Sequence, residues 1–225
     1  VVEEILKRVK EQFDITMFGA EPYGNYNRIL LSNVLNGTQE AADIFMNPLA
    51  WYEGNNIKLH AGVKVTQIDR EKRIAVGTPL TPNAIAYATD SEKAKMPVVK
   101  ETYDHVIIAT GSRPFVPPME GFGDTGTFLF RTIDDCARIA NYAKARKRAA
   151  VIGGGLLGLE AARGLLTHGV EVTVIEACPQ LMAMQLDAES GNLLRASIEG
   201  MGIKVLTGVL TTNIVREHGE ITRLD

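Results

Sequence analysis

The residues with the clearest capacity for chemistry in this sequence are three glycines in the stretch VIGGGLLGLEA. Gly153, Gly155 and Gly158 have the spacing GxGxxG, directly after an apolar run typical of a strand and at the start of a helical pattern. In such a turn the first glycine permits a tight bend, the second lets a pyrophosphate approach the backbone, and the third lets helix and strand pack closely. The N–H groups that open the helix attract phosphate. The spacing therefore predicts a dinucleotide-binding turn.

A carboxylate further along the chain fits the same prediction. An acidic residue about 20 positions after such a turn usually binds a ribose hydroxyl, and Glu176 closes the next strand-like run, VEVTVIE. No arginine follows it closely, so a 2′-phosphate would meet a negative charge and NAD is favoured over NADP. The alternative is a glycine-rich turn that serves packing alone. The combination of strand, helix and acid argues against it.

A second set of the same kind lies in the first half of the chain. Glu21 closes the strand-like run DITMFGAE, and ATG at residues 109–111 ends the run YDHVIIAT. The unbroken apolar centre of that run predicts a buried strand over residues 103–110. The glycine turn that should precede Glu21 is not in the sequence, so we expect the chain to begin inside the first helix of a nucleotide-binding unit.

Strands alternate with helices along most of the chain, which is typical of an α/β fold with a parallel, doubly wound sheet. We predict two Rossmann-like dinucleotide-binding domains, for FAD at 1–118 and for NAD(H) at 119–225, separated by the proline-rich stretch SRPFVPPMEG. An irregular excursion is expected at 77–100. Hairpins are predicted in DREKRIAVG and TTNIVREHGEITRLD. Helical patterns cover 1–10, 26–35, 132–148, 156–168 and 187–201, with a short one in NPLAWYEG.

Composition and charge exclude several classes of protein. The formal net charge of −3 gives no basic surface for nucleic acid, and no apolar run approaches the roughly 18 residues that span a bilayer. We therefore expect neither nucleic acid nor a membrane as partner, and a cytoplasmic location. Cys136 and Cys178 are too far apart for a CxxC motif, and the histidines lack ligand spacing for a metal. Asp134 and Asp135 point apart on a helix, so we predict capping rather than a catalytic dyad.

These motifs together resemble the pyridine nucleotide-disulfide oxidoreductases in the broad sense, in which an NAD(P)H domain interrupts an FAD domain. GGGLLGLEAA is shared widely in that family, whereas FGAEPYGNYNRILLS, ATGSRPF, FRTIDD and QLD narrow the resemblance to the branch of nitrite reductase flavin modules. The resemblance covers the chain except the 77–100 excursion. It implies FAD and NADH as cofactors, with NADPH less favoured. It implies iron–sulfur and sirohaem centres only if the full-length protein continues beyond this sequence.

The resemblance also implies roles for individual residues. An FAD site would use Glu21 at the adenosine ribose, Arg28 near the flavin nucleotide, the Val65 backbone against adenine, and Thr110, Gly111 and Arg113 at the crossing to the second domain. The pyrophosphate of NADH would be held by Gly153, Gly155, Leu156, Leu157 and Gly158, with Glu176 at its ribose. Glu160, one turn into the helix, would face the nicotinamide side, and no catalytic residue is expected.

Three departures from the family pattern affect these roles. Many relatives carry a lysine after the LS of the YNR segment, paired with the acid placed at Glu160, whereas this position is Asn33. Disulfide reductases and peroxidase or oxidase relatives need cysteine near the flavin-facing helix, but there is none between Tyr23 and Leu35. The second FAD-binding segment, with its Gly–Asp, is expected beyond Asp225.

The implied chemistry is transfer of a hydride from NADH to FAD, then of electrons to a downstream acceptor domain or protein. Such transfer requires stacked rings and exclusion of water rather than acid–base catalysis. Because redox cysteines are lacking, we expect single electrons to leave the flavin. Two alternatives stay open: an NADH-dependent ferredoxin or rubredoxin reductase, and a non-catalytic NADH-sensing module. A homo-oligomer is also compatible with the sequence.

We further expect these 225 residues to be a fragment of a larger polypeptide. The strand expected before Val1 would be central in the FAD sheet, and without it both neighbouring strands lack ladder partners. The chain alone is therefore expected to bind FAD poorly. Its affinity for NADH should be better preserved, because the glycine turn at 153–158 is intact.

Overall fold

The computed structural model of this chain describes residues 1–9, 12–80 and 97–225. The chain divides into two compact units, each described by itself below. Unit 1 comprises Val1–Tyr26 and Phe45–Gly111, and unit 2 comprises Asn27–Ile44 and Ser112–Asp225. Most of the excursion predicted at 77–100 lies outside the described residues, and the domain boundary at residue 118 stays a prediction.

The described elements follow an α/β order, which confirms the predicted fold class. The helices are α1 Val2–Val9, α2 Leu31–Leu35, α3 Leu49–Gly54, α4 Ile133–Ala143, α5 Leu156–Leu166 and α6 Ala188–Gly200, with 3₁₀ turns at Arg28–Leu30 and Ala41–Ile44. The strands are β1 Ile15–Gly19, β2 Ile57–Ala61, β3 Val63–Asp69, β4 Ile74–Pro79, β5 Val99–Thr102, β6 Arg148–Ile152, β7 Glu171–Glu176, β8 Lys204–Thr207, β9 Ile214–Glu217 and β10 Glu220–Leu224.

Unit 1 contains a parallel pair and an antiparallel sheet. Strand β1 pairs with β2, and β3, β4 and β5 form the antiparallel sheet in that order. The predicted hairpin in DREKRIAVG is confirmed by the antiparallel pairing of β3 with β4. In its turn the Asp69 carboxylate accepts hydrogen bonds from the N–H groups of Glu71 and Lys72. Gly77 is required in β4, since a Cβ there would lie 2.6 Å from Val63 Cγ1 and 3.0 Å from the Phe18 ring.

The buried strand predicted over residues 103–110 is wrong. Val106, Ile107 and Ile108 are 45%, 61% and 70% exposed, and within the described ranges the segment pairs with no strand. A buried strand needs a ladder neighbour and a surface on which its apolar side chains can pack. The described residues supply neither, so the apolar centre of this segment remains in solvent.

Unit 2 contains the predicted parallel sheet, with strand order β6, β7, β8. Helices α4, α5 and α6 alternate with these strands along the chain, as in a doubly wound nucleotide-binding fold. Val174 of β7 pairs with Val205 of β8, and the two residues are 0% and 1% exposed. The hairpin of β9 and β10 is also confirmed, and both residues of its HG turn have positive φ, His218 at 53° and Gly219 at 82°.

Helix α4 begins with a capping box, as predicted for its first-turn carboxylates. The Thr132 hydroxyl accepts from the Asp135 N–H, and the Asp135 carboxylate accepts from the N–H groups of Arg131 and Thr132. Asp135 is also paired with Arg138 and is only 5% exposed. Asp135 therefore satisfies N–H groups that the helix itself cannot. This use of its carboxylate agrees with capping rather than with a catalytic dyad.

The segment Asn27–Ile44 packs on α4 and α5 of unit 2, although it is remote from them in sequence. The helix predicted over 26–35 is present in a shorter form, as the 3₁₀ turn followed by α2. Leu35 of α2 is 0% exposed and faces Gly164 of α5, where a Cβ would lie 2.8 Å from Leu35 Cγ. His168 Nε2 lies 2.7 Å from the Leu35 carbonyl oxygen, and Cys136 Sγ donates to the carbonyl of Leu31. Apolar packing and polar contacts to backbone carbonyls together hold α2 in place.

Candidate nucleotide site

The predicted glycine turn lies between β6 and α5, at the carboxyl end of the parallel sheet. Gly153 has φ of 114°, a conformation that favours glycine, and its N–H donates to the Ile175 carbonyl of β7 at 2.8 Å. Gly155 is the N-cap of α5, and no described side chain caps that helix start. The free N–H groups of the first helical turn are thus available to an anion.

The three glycines of the motif meet different surroundings. A Cβ on Gly158 would overlap the carbonyl oxygen of Gly153, so the third glycine allows α5 to approach the turn. A Cβ on Gly153 or on Gly155 would meet no described atom within 4 Å. The space beside the first two glycines is therefore open. A pyrophosphate fits this arrangement, because the backbone can approach it without a side chain between.

Glu176 ends β7 beside this turn, where the acid was predicted. One carboxylate oxygen accepts from the Gly154 N–H at 2.6 Å and the other from the Cys178 N–H at 2.7 Å. A carboxylate offers about four acceptor positions, so capacity for two ribose hydroxyls remains. The structure thus brings Glu176 together with the glycine turn, although its contact with Gly154 was not foreseen.

Leu156, Leu157 and Glu160 occupy the first turns of α5. Leu156 and Leu157 are 59% and 50% exposed, which leaves an apolar surface at the helix start. Glu160 is half-buried, and burial raises the pKa of its carboxyl. It has no hydrogen-bond partner among the described residues. Asn33, at the position of the family lysine, instead donates to Gln39, so no cation offsets the charge of Glu160 from there.

Glu160→Gln is expected to stabilise the protein at neutral pH but not at acid pH. The raised pKa means that ionised Glu160 is less favourable in the folded than in the unfolded state, a cost present above the folded pKa and lost below the unfolded one. We expect the melting temperature to rise by about 1–3 °C at pH 7 and to be unchanged near pH 3.5. Thermal unfolding at both pH values measures this. The exposed Glu171→Gln is the control, and equal effects of Glu160→Gln at both pH values would contradict the burial argument.

Two of the residues proposed for FAD in unit 1, Glu21 and Val65, lie beside or on its strands. Glu21 follows β1, its backbone carbonyl accepts from the Gly62 N–H at 2.9 Å, and its carboxylate accepts from the Tyr26 hydroxyl. Val65 lies on β3 opposite Gly77. Thr110 and Gly111 are exposed at the end of the unpaired segment. The Tyr26 contact was missed from the sequence, because the NYNR segment gives no local signal that its tyrosine turns back toward Glu21.

The two arginines proposed from the resemblance belong to unit 2. Arg28 donates to the backbone carbonyl of Arg131 at 2.8 Å, and the Arg131 guanidinium donates to Ser112 Oγ at 2.7 Å. Arg113, which follows Ser112 in the sequence, is exposed. Arg131 was not predicted as a site residue, although it lies in the motif FRTIDD. Arg28 and Ser112 are therefore linked through Arg131.

Neither cysteine has the surroundings of a reactive thiol. Cys136 is 1% exposed, and burial raises the pKa of its thiol to about 12. Cys178 is exposed, but the neighbouring Glu176 carboxylate raises the pKa of its thiol as well. Thiol redox chemistry proceeds through the thiolate, which both environments disfavour.

Unit 2 also contains a cavity of about 690 Å³ that adjoins the glycine turn, because Leu157 and Gly158 are among its lining residues. It is lined by β6, β10 and aromatic side chains such as Phe128 and Tyr142. Glu176, Gly153 and Gly155 are not among its described lining residues, so the cavity meets the turn at the start of α5 and not at the candidate ribose position. Elsewhere in the described ranges, no group of three His, Cys, Asp or Glu side chains could hold a metal ion, and no described helix could cross a membrane.

Comparison with known proteins gives consistent matches over nearly the whole chain. The model of the family described as Pyridine nucleotide-disulphide oxidoreductase matches residues 3–225. The nitrite reductase (NAD(P)H) of Bacillus subtilis is 44% identical over 95% of this chain and 24% of its own length. The assimilatory nitrate reductase electron transfer subunit of the same organism is 39% identical over 95% of this chain and 25% of its own. The chain thus spans about a quarter of these relatives.

A solved structure shares both fold and sequence. The NADH:rubredoxin oxidoreductase of Clostridium acetobutylicum superposes with a TM-score of 0.69 and 27% identity, over 87% of this chain and 47% of that one. The match therefore extends well beyond the glycine motif. It includes both described units of the chain.

Proposed function

We propose, from the premise that this chain belongs to the pyridine nucleotide-disulphide oxidoreductase family, that it is the NADH-oxidising flavin module of a larger electron-transfer enzyme. The proposed acceptor is the nitrite-reducing part of the same polypeptide, as the 44% identity to a nitrite reductase favours. Residues 1–118 are proposed to bind FAD and residues 119–225 to bind NADH. When bound, the nicotinamide supplies a hydride and the flavin accepts it.

The proposal rests chiefly on the glycine turn with Glu176 fixed beside it. The open space at Gly153 and Gly155 suits a pyrophosphate, and the carboxylate 2.6 Å from the Gly154 N–H suits a ribose diol. The same carboxylate would repel a 2′-phosphate, which supports NADH over NADPH as the donor. Leu156 and Leu157 supply an apolar surface that would exclude water beside the coenzyme.

The remaining assignments stay proposals for this chain. In unit 1, Glu21 at the end of β1 has the position of a second ribose acceptor, with Val65, Thr110 and Gly111 at the proposed FAD site. In unit 2, Arg28 is proposed to approach the flavin nucleotide, and Arg113 is proposed to line the FAD site where the chain crosses to the second domain. Glu160 is proposed to lie near the nicotinamide and to hold its proton more tightly than an exposed glutamate does.

The electron acceptor is proposed to be reached without a thiol relay. Raised pKa values at Cys136 and Cys178 disfavour the thiolates that a disulfide mechanism would need. A second candidate is an NADH-dependent reductase of rubredoxin or ferredoxin, favoured by the 27% identity to an NADH:rubredoxin oxidoreductase. The two candidates share the NADH half-reaction and differ in the acceptor.

Anaerobic reduction of the full-length flavoprotein tests this function. We expect NADH to bleach the flavin absorbance, with a second-order rate constant at least about tenfold above that of NADPH, a difference of about 1.4 kcal/mol. The reduced protein should then be reoxidised by a one-electron acceptor with no thiol present. Nitrite-dependent NADH oxidation would select the first candidate, and rubredoxin-dependent oxidation alone the second. Flavin that stays oxidised in NADH, or a requirement for a thiol substrate, would contradict both.

A further inference from the structure

The middle residue of the glycine turn is held on both sides, although the GxGxxG spacing leaves that position unspecified. The Gly154 N–H donates to Glu176 Oε2 at 2.6 Å, and the Gly154 carbonyl accepts from the Met182 N–H at 3.0 Å. Gly154 is buried. The turn is therefore attached to two later parts of the chain, the end of β7 and the loop that follows it.

The Glu176 carboxylate is itself fixed. Its second oxygen accepts from the Cys178 N–H at 2.7 Å, so two backbone amides from different segments orient the group. Hydrogen bonds to a carboxylate are stronger than those between neutral groups. A side chain held in this way joins the glycine turn to the start of the loop at residue 178.

The space beneath the turn is filled, so the turn has little freedom to move inward. Leu181 is 0% exposed, and a Cβ on Gly154 would lie 2.6 Å from Leu181 Cδ2 and 3.0 Å from Glu176 Cβ. Apolar packing from below and the carboxylate at the side thus define one position for the Gly154 peptide. That peptide lies between Gly153 and Gly155, the two glycines expected to face a pyrophosphate.

We propose that Glu176 is a positioning residue for the phosphate-binding turn, acting through the Gly154 N–H in addition to its contact with ribose. This inference rests on the proposed function, because it concerns the same nucleotide site. It has a consequence that ribose recognition alone does not have. Loss of the carboxylate should weaken the binding of a diphosphate that has no ribose hydroxyls to offer.

A pair of ligands separates the two roles. ADP offers both hydroxyls and a diphosphate, whereas 2′,3′-dideoxy-ADP offers only the diphosphate. We expect calorimetry on the full chain to show that Glu176→Ala weakens the binding of ADP about 100-fold and the binding of dideoxy-ADP about 10-fold. The second loss reflects the disordered turn. Glu176→Gln, whose amide oxygen can still accept from Gly154, should restore most of the dideoxy-ADP affinity. Glu171→Gln, at the other end of the same strand, should change neither.

Amide exchange gives a readout that needs no ligand. We expect the Gly154 N–H to exchange faster in Glu176→Ala than in the wild-type chain, with the β6 amides unchanged. An unchanged dideoxy-ADP affinity in Glu176→Ala would overturn the inference while leaving the proposed function intact. If that variant does not fold, Glu176→Gln serves instead. A dideoxy-ADP affinity about 10-fold below the wild-type value in Glu176→Gln would also overturn the inference. A wild-type chain that binds neither ADP nor NADH would refute the proposed function and the inference together.

Discussion

Gly158→Ala is expected to abolish useful NADH binding and to destabilise unit 2. A methyl group at this position would overlap the Gly153 carbonyl oxygen. That carbonyl cannot easily withdraw, because it shares a peptide unit with the Gly154 N–H, which donates to Glu176 Oε2. Either α5 must move away from the turn or the turn must open. We expect a loss of at least about 100-fold in NADH affinity, near 2.7 kcal/mol, and about 1–3 kcal/mol in unfolding free energy.

Calorimetric titration with NADH and denaturant unfolding measure the two effects separately. Gly200→Ala is the matched control, since a Cβ on this glycine near the end of α6 would meet no described atom within 4 Å. In a helix that substitution should stabilise by about 0.5–1 kcal/mol and leave NADH affinity unchanged. Retention of wild-type affinity by Gly158→Ala would show that the turn does not bind the coenzyme as proposed.

Leu35→Ala is expected to lower the unfolding free energy by about 3 kcal/mol, within the usual cost of removing a buried leucine side chain. Leu35 is 0% exposed and fills the space left by the missing side chain of Gly164. Helix α5 cannot close that space, because its own backbone is fixed against β6 and β7. A cavity should therefore remain, and the docking of α2 should weaken.

Urea unfolding of the wild type and of Leu35→Ala gives the difference in unfolding free energy. Equal m-values would show that both proteins expose the same surface on unfolding. Ile29→Ala is the control in the same segment, because Ile29 is 77% exposed and its loss should cost less than about 0.5 kcal/mol. Equal stability of Leu35→Ala and the wild type would show that Asn27–Ile44 contributes little to unit 2.

The parts of the site that the sequence predicted are those fixed by local rules. A strand, a glycine turn and a helix follow one another within 148–166, so spacing alone located Gly153, Gly155 and Gly158. Glu176 was predicted because parallel strands bring their carboxyl ends to the same edge of the sheet. The capping role of Asp135 followed from helix chemistry at the first turn.

The features that were missed depend on contacts between distant residues. An apolar run looks the same whether or not a neighbouring strand covers it, so the exposure of residues 106–108 could not be deduced from periodicity. The bonds from Tyr26 to Glu21 and from Gly154 to Glu176 depend on how separate loops fold back. The motif specifies glycine at positions 153 and 155 only. The additional glycine at position 154 was the one sequence signal that this position has a separate structural requirement.

The position of Asn27–Ile44 decides how the nucleotide-binding unit could be transplanted into another protein. A graft of Ser112–Asp225 alone would be continuous in sequence but would leave behind the helix that covers Gly164. It would also deprive the thiol of Cys136 and the imidazole of His168 of the carbonyl oxygens they contact. A working cassette must therefore be assembled from two separate stretches of chain, rejoined by a new connection.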